Sequence, residues 1–574
     1  MKVKNSLLIS LMLLCGSSLF AQHNEEVTVE GTYRPKVNKV NKILMQAETP
    51  EQTFSMPGTD VSVLGIEHRF PIQLEKLSAV ALNTKDSQNA AATKNFLMAG
   101  IGTRLSPMFL YKHNSKLTKT LGLGVGISHY SSWLGIRNYA YSGFMNNAFD
   151  VNLTSSKFNN LQVSGDVYYK NDAVHYYGVL VEDWTGDDSS LELATPRQTY
   201  NTIGTKLMMA STTTRRGEYA HNGSFDYHYL FARLGGGEHH VALDYDVSYT
   251  ERWWGKKECP QKVGLSVGLQ HDRFASDFGN STQVVASNRT LFKMNPYLEM
   301  KDDFYRLHLG FRVDLGTPHT GYMLGVYPDL KGSLHVLDNT VEFYAGLNGG
   351  RKQYTYSGIV GENPFVTPNP DFQVAKVKLG FDGGVRTSFM NTLDLHLGVR
   401  YRHTDNDLFY EGQYNSVSVA SHQENPYSYF NAVYDETRMV SVLADARWLA
   451  WDKVTVDAGL AFNKYSTTLL DHPLYRPSVE GNLKVNYEFD ENLSLYSSFL
   501  YQGGRYGRMG SMLLTVPSVK LKPVLDLSVG ADYKVRDDLT AFAKIGNLLH
   551  QRYMLYINYP VTGFEIFAGV KMRF

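Results

Sequence analysis

The groups able to do acid–base or metal chemistry are few and scattered. His239 and His240 are adjacent, His129 stands alone, and His403 precedes Asp405 and Asp407. A His–Asp pair could run a surface hydrolase, the imidazole moving the proton and the carboxylate orienting the ring. No Gly-x-Ser-x-Gly elbow and no His-Glu-x-x-His accompanies these groups. A His–Asp pair in a polar segment is ordinarily solvated surface, so no catalytic residue is expected and the chain reads as a non-enzyme. Asp405-Asn406-Asp407 begins like a calcium loop but lacks its downstream ligands. No metal and no cofactor is therefore expected. Arg505 and Arg508, among Gly503, Gly504, Gly507 and Gly510, are the residues best suited to an anionic ligand. Trp253-Trp254 beside Lys256-Lys257 suits either a headgroup interface or a partner surface.

Composition removes further classes. Lys+Arg and Asp+Glu are both 56, so the basic excess of a nucleic-acid binder is missing. Of the 2 cysteines, Cys15 lies in a leader and Cys259 stands alone, which excludes a disulfide framework and a cysteine zinc site.

The elements that must position these groups are strands. From about residue 95 the dominant period is two. Leu393, Leu395, Leu397, Val399 and Tyr401 share one parity; Asp394, His396, Gly398, Arg400 and Arg402 share the other. The pattern returns over 305–313, 241–249, 454–463 and 525–535. Each run is about 9–11 residues, the length of a tilted strand across a bilayer. Short polar turns such as Asp490-Glu491-Asn492 and Arg536-Asp537-Asp538 alternate with long segments near 130–147, 171–197, 350–371, 404–429 and 503–521. The expected fold is all-β, a transmembrane antiparallel barrel of roughly 20–22 strands with short periplasmic turns and long extracellular loops. If some breaks are bulges, about 14–18 strands remain. Lumen charges of both signs (Arg306, Arg312, Asp314, Asp394, Arg400, Arg402, Asp457, Lys484, Asp526, Asp532, Lys534) are expected to pair across strands, or else to line a weakly selective pore. Tyrosines near strand ends, among them Tyr168, Tyr169, Tyr176, Tyr177, Tyr227, Tyr229 and Tyr410, are expected in the headgroup belts.

The termini complete the organisation. Lys2 and Lys4, the apolar run Leu7–Leu14 and the step at Ala21 read as a signal peptide over 1–21. Residues 22–92, with Pro35, Pro50 and Pro57, read as an extended periplasmic strap, and 93–574 as the barrel. Phe564, Ile566, Ala568, Val570, Met572 and Phe574 share one parity up to the last residue. This run resembles the C-terminal signal by which outer-membrane barrels are recognised for assembly.

Residues 525–574 resemble the last three strands of TonB-dependent receptors. The markers are Ala541-Phe542-Ala543-Lys544-Ile545-Gly546-Asn547-Leu548-Leu549, then Gln551-Arg552-Tyr553, Tyr559-Pro560, Gly563 and Gly569-Val570-Lys571-Met572-Arg573-Phe574. Glu26-Val27-Thr28-Val29-Glu30-Gly31 looks like a TonB box, which would engage TonB by adding a strand to its sheet. The resemblance implies the outer membrane of a Gram-negative bacterium, lipid contact and passage through the assembly machinery. It departs from the family in length: the segment before the first strand is too short for a full plug domain. The expectation is therefore a scaffold barrel in an outer-membrane complex, with lipoproteins or the assembly machinery as partners. The alternative is a TonB-dependent or passive channel for solute uptake; a surface enzyme is remote. Without a full plug the lumen is expected to be blocked by the strap, by inward loops or by a partner.

Overall fold

The computed structural model describes residues 94–574, apart from several single residues and the short segments 213–215, 255–258, 279–284, 318–322, 337–339, 390–391, 416–423 and 511–516. The signal peptide, the strap and the TonB-box-like residues Glu26 to Gly31 lie outside the described residues. One continuous sheet forms the wall. It joins 23 strand pieces, one of which, Met509–Gly510, is a two-residue loop segment lying parallel to its neighbour. The other 22 form an antiparallel barrel, from β1 (Asn95–Gly102) to β22 (Glu565–Arg573).

Closure is made by β1 and β22, paired from Phe96↔Arg573 to Gly102↔Phe567. With the last strand bonded to the first, no edge is left, as a lipid-embedded sheet requires. Gly100 and Gly569 face each other across this seam under the Phe542 ring. A Cβ on Gly569 would lie 2.2 Å from the Ala99 carbonyl oxygen, so only glycine allows the strands and ring to close there.

The two-residue period sorts side chains as expected. Leu397, Val399, Val440, Val442, Leu460 and Phe462 are exposed on the outer face. In water so much apolar surface would be costly, at about 25 cal/mol per Å²; facing lipid it is at home. Trp253, Trp254, Trp448 and Trp451 are exposed at the rim of short turns, the headgroup level. The barrel is thus an integral outer-membrane one. Its two ends differ: most turns at the rim carrying Asn95 and Phe574 have a few residues, the longest being 252–260, while the long loops all lie at the other rim, beside short turns such as 103–105 and 233–236.

Two expectations need correction. Residues 404–414 are not loop. They extend β15 (Leu393–Tyr414), which pairs with β16 (Ser428–Ala450) as far as Tyr414↔Ser428 after a bulge at Thr404–Asp407. Leu408, Phe409 and Tyr410 are all buried, so both faces are covered and the alternation that marks a strand vanishes. Tyr176, Tyr177 and Tyr410 are likewise not belt residues; they are buried in an apolar core made by the long loops.

Candidate functional site: the closed mouth and the charged inner wall

The segment 354–373, between β13 (Val341–Gln353) and β14 (Val374–Phe389), is the centre of that core. Its sequence explains its shape. Thr355 caps a short helix, α2 (Tyr356–Glu362; α1 is Asp188–Ala194 in the loop 176–196), its hydroxyl accepting from the Gly358 amide at 2.9 Å. The helix stops at Asn363 because Pro364 follows. Pro364, Pro368 and Pro370 carry no N–H, so this irregular stretch can be buried with fewer amide donors to satisfy.

The segment is latched on opposite sides of the mouth. On β8 (Gly237–Glu251) the fully buried Glu238 accepts the Tyr356 and Ser357 amides at 2.5 and 3.0 Å, using the donors that a helix start leaves free. On β10 (Val285–Lys301) Arg289 donates to the Tyr354 carbonyl at 2.5 Å and lies 4.1 Å over the Phe372 ring. Two to three strands from β8, Tyr176 donates to the Val366 carbonyl and Tyr200 to that of Pro364, and across the barrel, in the loop before β22, Tyr556 donates to that of Glu362, each at 2.8 Å. Thr367 N–H reaches Phe430 O at 2.8 Å and Phe430 N–H reaches Phe365 O at 3.0 Å. Phe365 stacks on Tyr559 with ring centroids 3.9 Å apart. Tyr176 follows β5 (Leu161–His175), Tyr200 is in β6 (Arg197–Ser211), and Tyr559 belongs with the loop before β22. Elements so far apart around the barrel meet only by crossing its mouth. Burial pushes the phenols of Tyr356, Tyr553 and Tyr559 well above their ordinary range, so they remain neutral.

Arg505 and Arg508 do lie in a loop at this mouth, but each has partners within the chain. Arg505 is buried and donates to the carbonyls of Met554 (3.1 Å) and Leu555, tying the loop 504–523 to the loop 547–564. Burial lowers its guanidinium below the usual range. Arg508 pairs with Glu411 at 2.7 Å. Asn547, inside the family-like motif, takes φ +47° and folds its own turn, its side chain bonding Gln551 O at 2.6 Å and Gln551 N at 3.0 Å.

Below the mouth the inner wall is charged and paired. Arg312 meets Asp314 at 2.7 Å, Arg400 and Arg402 meet Asp382 at 2.9 and 2.8 Å, and Lys571 meets Asp532 at 2.6 Å. The pairs on Asp382 and Asp532 join different strands and support the cross-strand reading of the lumen charges, whereas Arg312 and Asp314 pair along one strand. The sector around the seam is different: Met98, Met108, Phe542 and Phe567 make an apolar patch there. The histidines separate. His239 stacks on Tyr229 at 4.3 Å, on the outer face, while its neighbour His240 points inward to Asp272. His129 bonds Asn147 at 2.7 Å and pairs beside the exposed Phe109. His403 meets Glu436 at 2.6 Å, and Lys378 sits between Asp405 and Glu436 at 2.6 and 3.2 Å. Phe564, Ile566, Val570 and Phe574 are exposed on the outer face, while Phe567 of the opposite parity is fully buried inside.

Glu238, Arg289 and the Tyr176–Tyr200–Tyr556 set were not legible in the sequence. The one signal was the proline-rich run 364–370 within a long loop.

No family model matches the chain, and no curated protein matches it in sequence. Solved structures do match in fold. The siderophore receptor PirA from Acinetobacter baumannii superposes with a TM-score of 0.63 at 10% identity, covering 84% of this chain and 81% of that one. A mutant of the ferric enterobactin receptor PfeA from Pseudomonas aeruginosa gives 0.62 at 11%, with 84% and 81% covered. The ferric-catecholate import receptor Fiu from E. coli K12 gives 0.61 at 10%, with 84% and 82% covered. At these identities the likeness is one of fold: the chain has the 22-strand barrel of TonB-dependent receptors.

Proposed function

We propose that this chain is an outer-membrane uptake receptor that takes a solute at its loop-closed mouth and passes it inward when the loops part. The observation that carries this reading is the segment 354–373, which crosses a barrel of receptor type and is held by side-chain latches on both sides. A lumen lined with paired charges below a detachable cover suits passage of a polar solute better than static scaffolding. The named fold neighbours, import and siderophore receptors, favour uptake over the scaffold role that leads the sequence reading. In this proposal Glu26–Gly31 provides the contact with TonB that supplies the work of opening.

The test compares three strains: wild type, a full gene deletion, and a deletion of Glu26–Gly31 alone. Spent medium from each is compared compound by compound. Uptake driven through the box predicts that the same compounds are left behind by both deletions. If the full deletion instead alters which outer-membrane proteins are present while the box deletion behaves as wild type, the scaffold reading takes its place.

A further inference from the structure

We propose that Asp226, His228 and His240 form a binding site for a first-row divalent metal ion of the zinc class on the inner wall, directly beneath the cover. The inference stands whether or not the uptake reading does. Asp226 and His228 lie on β7 (Tyr219–Ala232), and His240 on β8 beside it. All three have the inward parity, and their ligand atoms lie within 4.8 Å of one another. His228 and His240 face each other across the ladder, their rings stacked at 4.6 Å. Their side chains keep 12% and 13% of their exposure and Asp226 keeps 28%, so the group opens to the lumen.

The hydrogen bonds around the rings are those that a metal site needs. One nitrogen of His240, Nδ1, meets the fully buried Asp272 carboxylate at 2.5 Å. Asp272 is itself fixed by Gln270 at 2.9 Å and by Gln353. Carboxylates so placed orient ligating imidazoles and raise their basicity. His228 uses Nε2 on the Ser357 hydroxyl of the cover at 3.1 Å, which turns Nδ1 toward Asp226 at 3.4 Å. Each histidine thus has one nitrogen held by an outer partner and one left for an ion. Two imidazoles and one carboxylate with open positions are the donor set of zinc, cobalt, nickel or ferrous ions. Zinc would draw the donors to about 2.0–2.2 Å from itself, a contraction that side-chain rotation supplies. Charge points the same way. Asp226, Glu238 and Asp272 gather here against Arg289, 4.0 Å from Glu238, and Lys206, which faces Asp226.

The second cluster with metal-like spacing, His403, Asp405 and Glu436, is a built-in comparison. There Lys378 bonds both carboxylates directly, at 2.6 and 3.2 Å, and the cluster has one imidazole where the first has two. Because Ser357 belongs to the cover, an ion at the first site and the closed cover share one imidazole.

The test uses tag-free, full-length protein in detergent, stripped with chelator and titrated with zinc alone against a chromophoric competitor. Heat-modifiable migration confirms folding of every variant. Wild type is expected to take one zinc per chain. His228→Ala and His240→Ala are expected to lose at least thirtyfold in affinity, and Asp272→Asn about 10–100-fold, as outer partners of ligating histidines do. Glu436→Gln is expected to bind as wild type. Cobalt in place of zinc should give absorption bands that shift in Asp272→Asn, which a merely structural role for Asp272 would not produce. Absence of stoichiometric zinc in folded wild type overturns the proposal. So does unchanged affinity in the His228→Ala/His240→Ala double variant, or loss of the ion in Glu436→Gln.

Discussion

Replacing Phe365 by alanine should unlatch the cover without disturbing the wall. Phe365 is 1% exposed, stacks on Tyr559 at 3.9 Å and meets Tyr177 edge-on at 5.5 Å. Truncating a buried phenylalanine costs about 3–5 kcal/mol. None of that falls on the barrel ladder, because Phe365 lies in the loop between β13 and β14. The three tyrosine hydroxyl bonds to Val366, Pro364 and Glu362 remain, each contributing about 0.5–1.5 kcal/mol. The loss is thus comparable to everything those three bonds supply. At about 1.4 kcal/mol per decade, opening should become roughly 10²–10⁴ times more frequent. Hydrogen exchange reads this directly. The amides of Thr367 and Phe430 bond across the cover at 2.8 and 3.0 Å and should lose protection by that factor. Amides of the ladder between β1 and β22 should not change. If Thr367 and Phe430 exchange within threefold of wild type in folded Phe365→Ala protein, the cover is not held by this core and the reasoning fails.

Removing residues 23–90 alone should leave conductance in planar bilayers low, since the mouth loops still meet; the same truncation combined with Phe365→Ala should raise it. Large single-channel currents from the truncation by itself would mean that the loops do not close the mouth. Arg505→Ala leaves two carbonyls without their donor, at a cost of about 1–3 kcal/mol, and should increase proteolysis of the loop 547–564. Loss of solute uptake with that loop still protected would instead return Arg505 to the ligand-binding role expected from sequence. Deleting Phe574 removes the pair of bonds with Asn95, at 2.8 and 3.1 Å, and an outward ring. Less heat-modifiable barrel should accumulate while secretion continues; wild-type amounts would refute the assembly role of the final strand.

The wall of this protein was legible in its sequence because each strand lies between two different solvents. Lipid on one side and a polar lumen on the other impose a strict alternation, and Leu397 and Val399 against Arg400 and Arg402 carry it residue by residue. The final strand, with Phe564, Ile566 and Val570 outward and Phe567 inward, was readable for the same reason. The alternation fails where that asymmetry ends. Leu408, Phe409 and Tyr410 read as loop because the folded-in loops bury both faces of β15 there. The cover has no local signature either. Glu238 and Tyr356 are 118 residues apart, and Tyr176 and Val366 are 190 apart. Such pairs exist only because barrel closure brings remote strands to one rim. The same holds for the histidines. His239 and His240 are adjacent in the sequence, but the pleat sends one ring to the outer face and the other into the lumen. The partners of His240, namely Asp272 on the next strand and His228 on the previous one, are set by register, which sequence period alone does not fix.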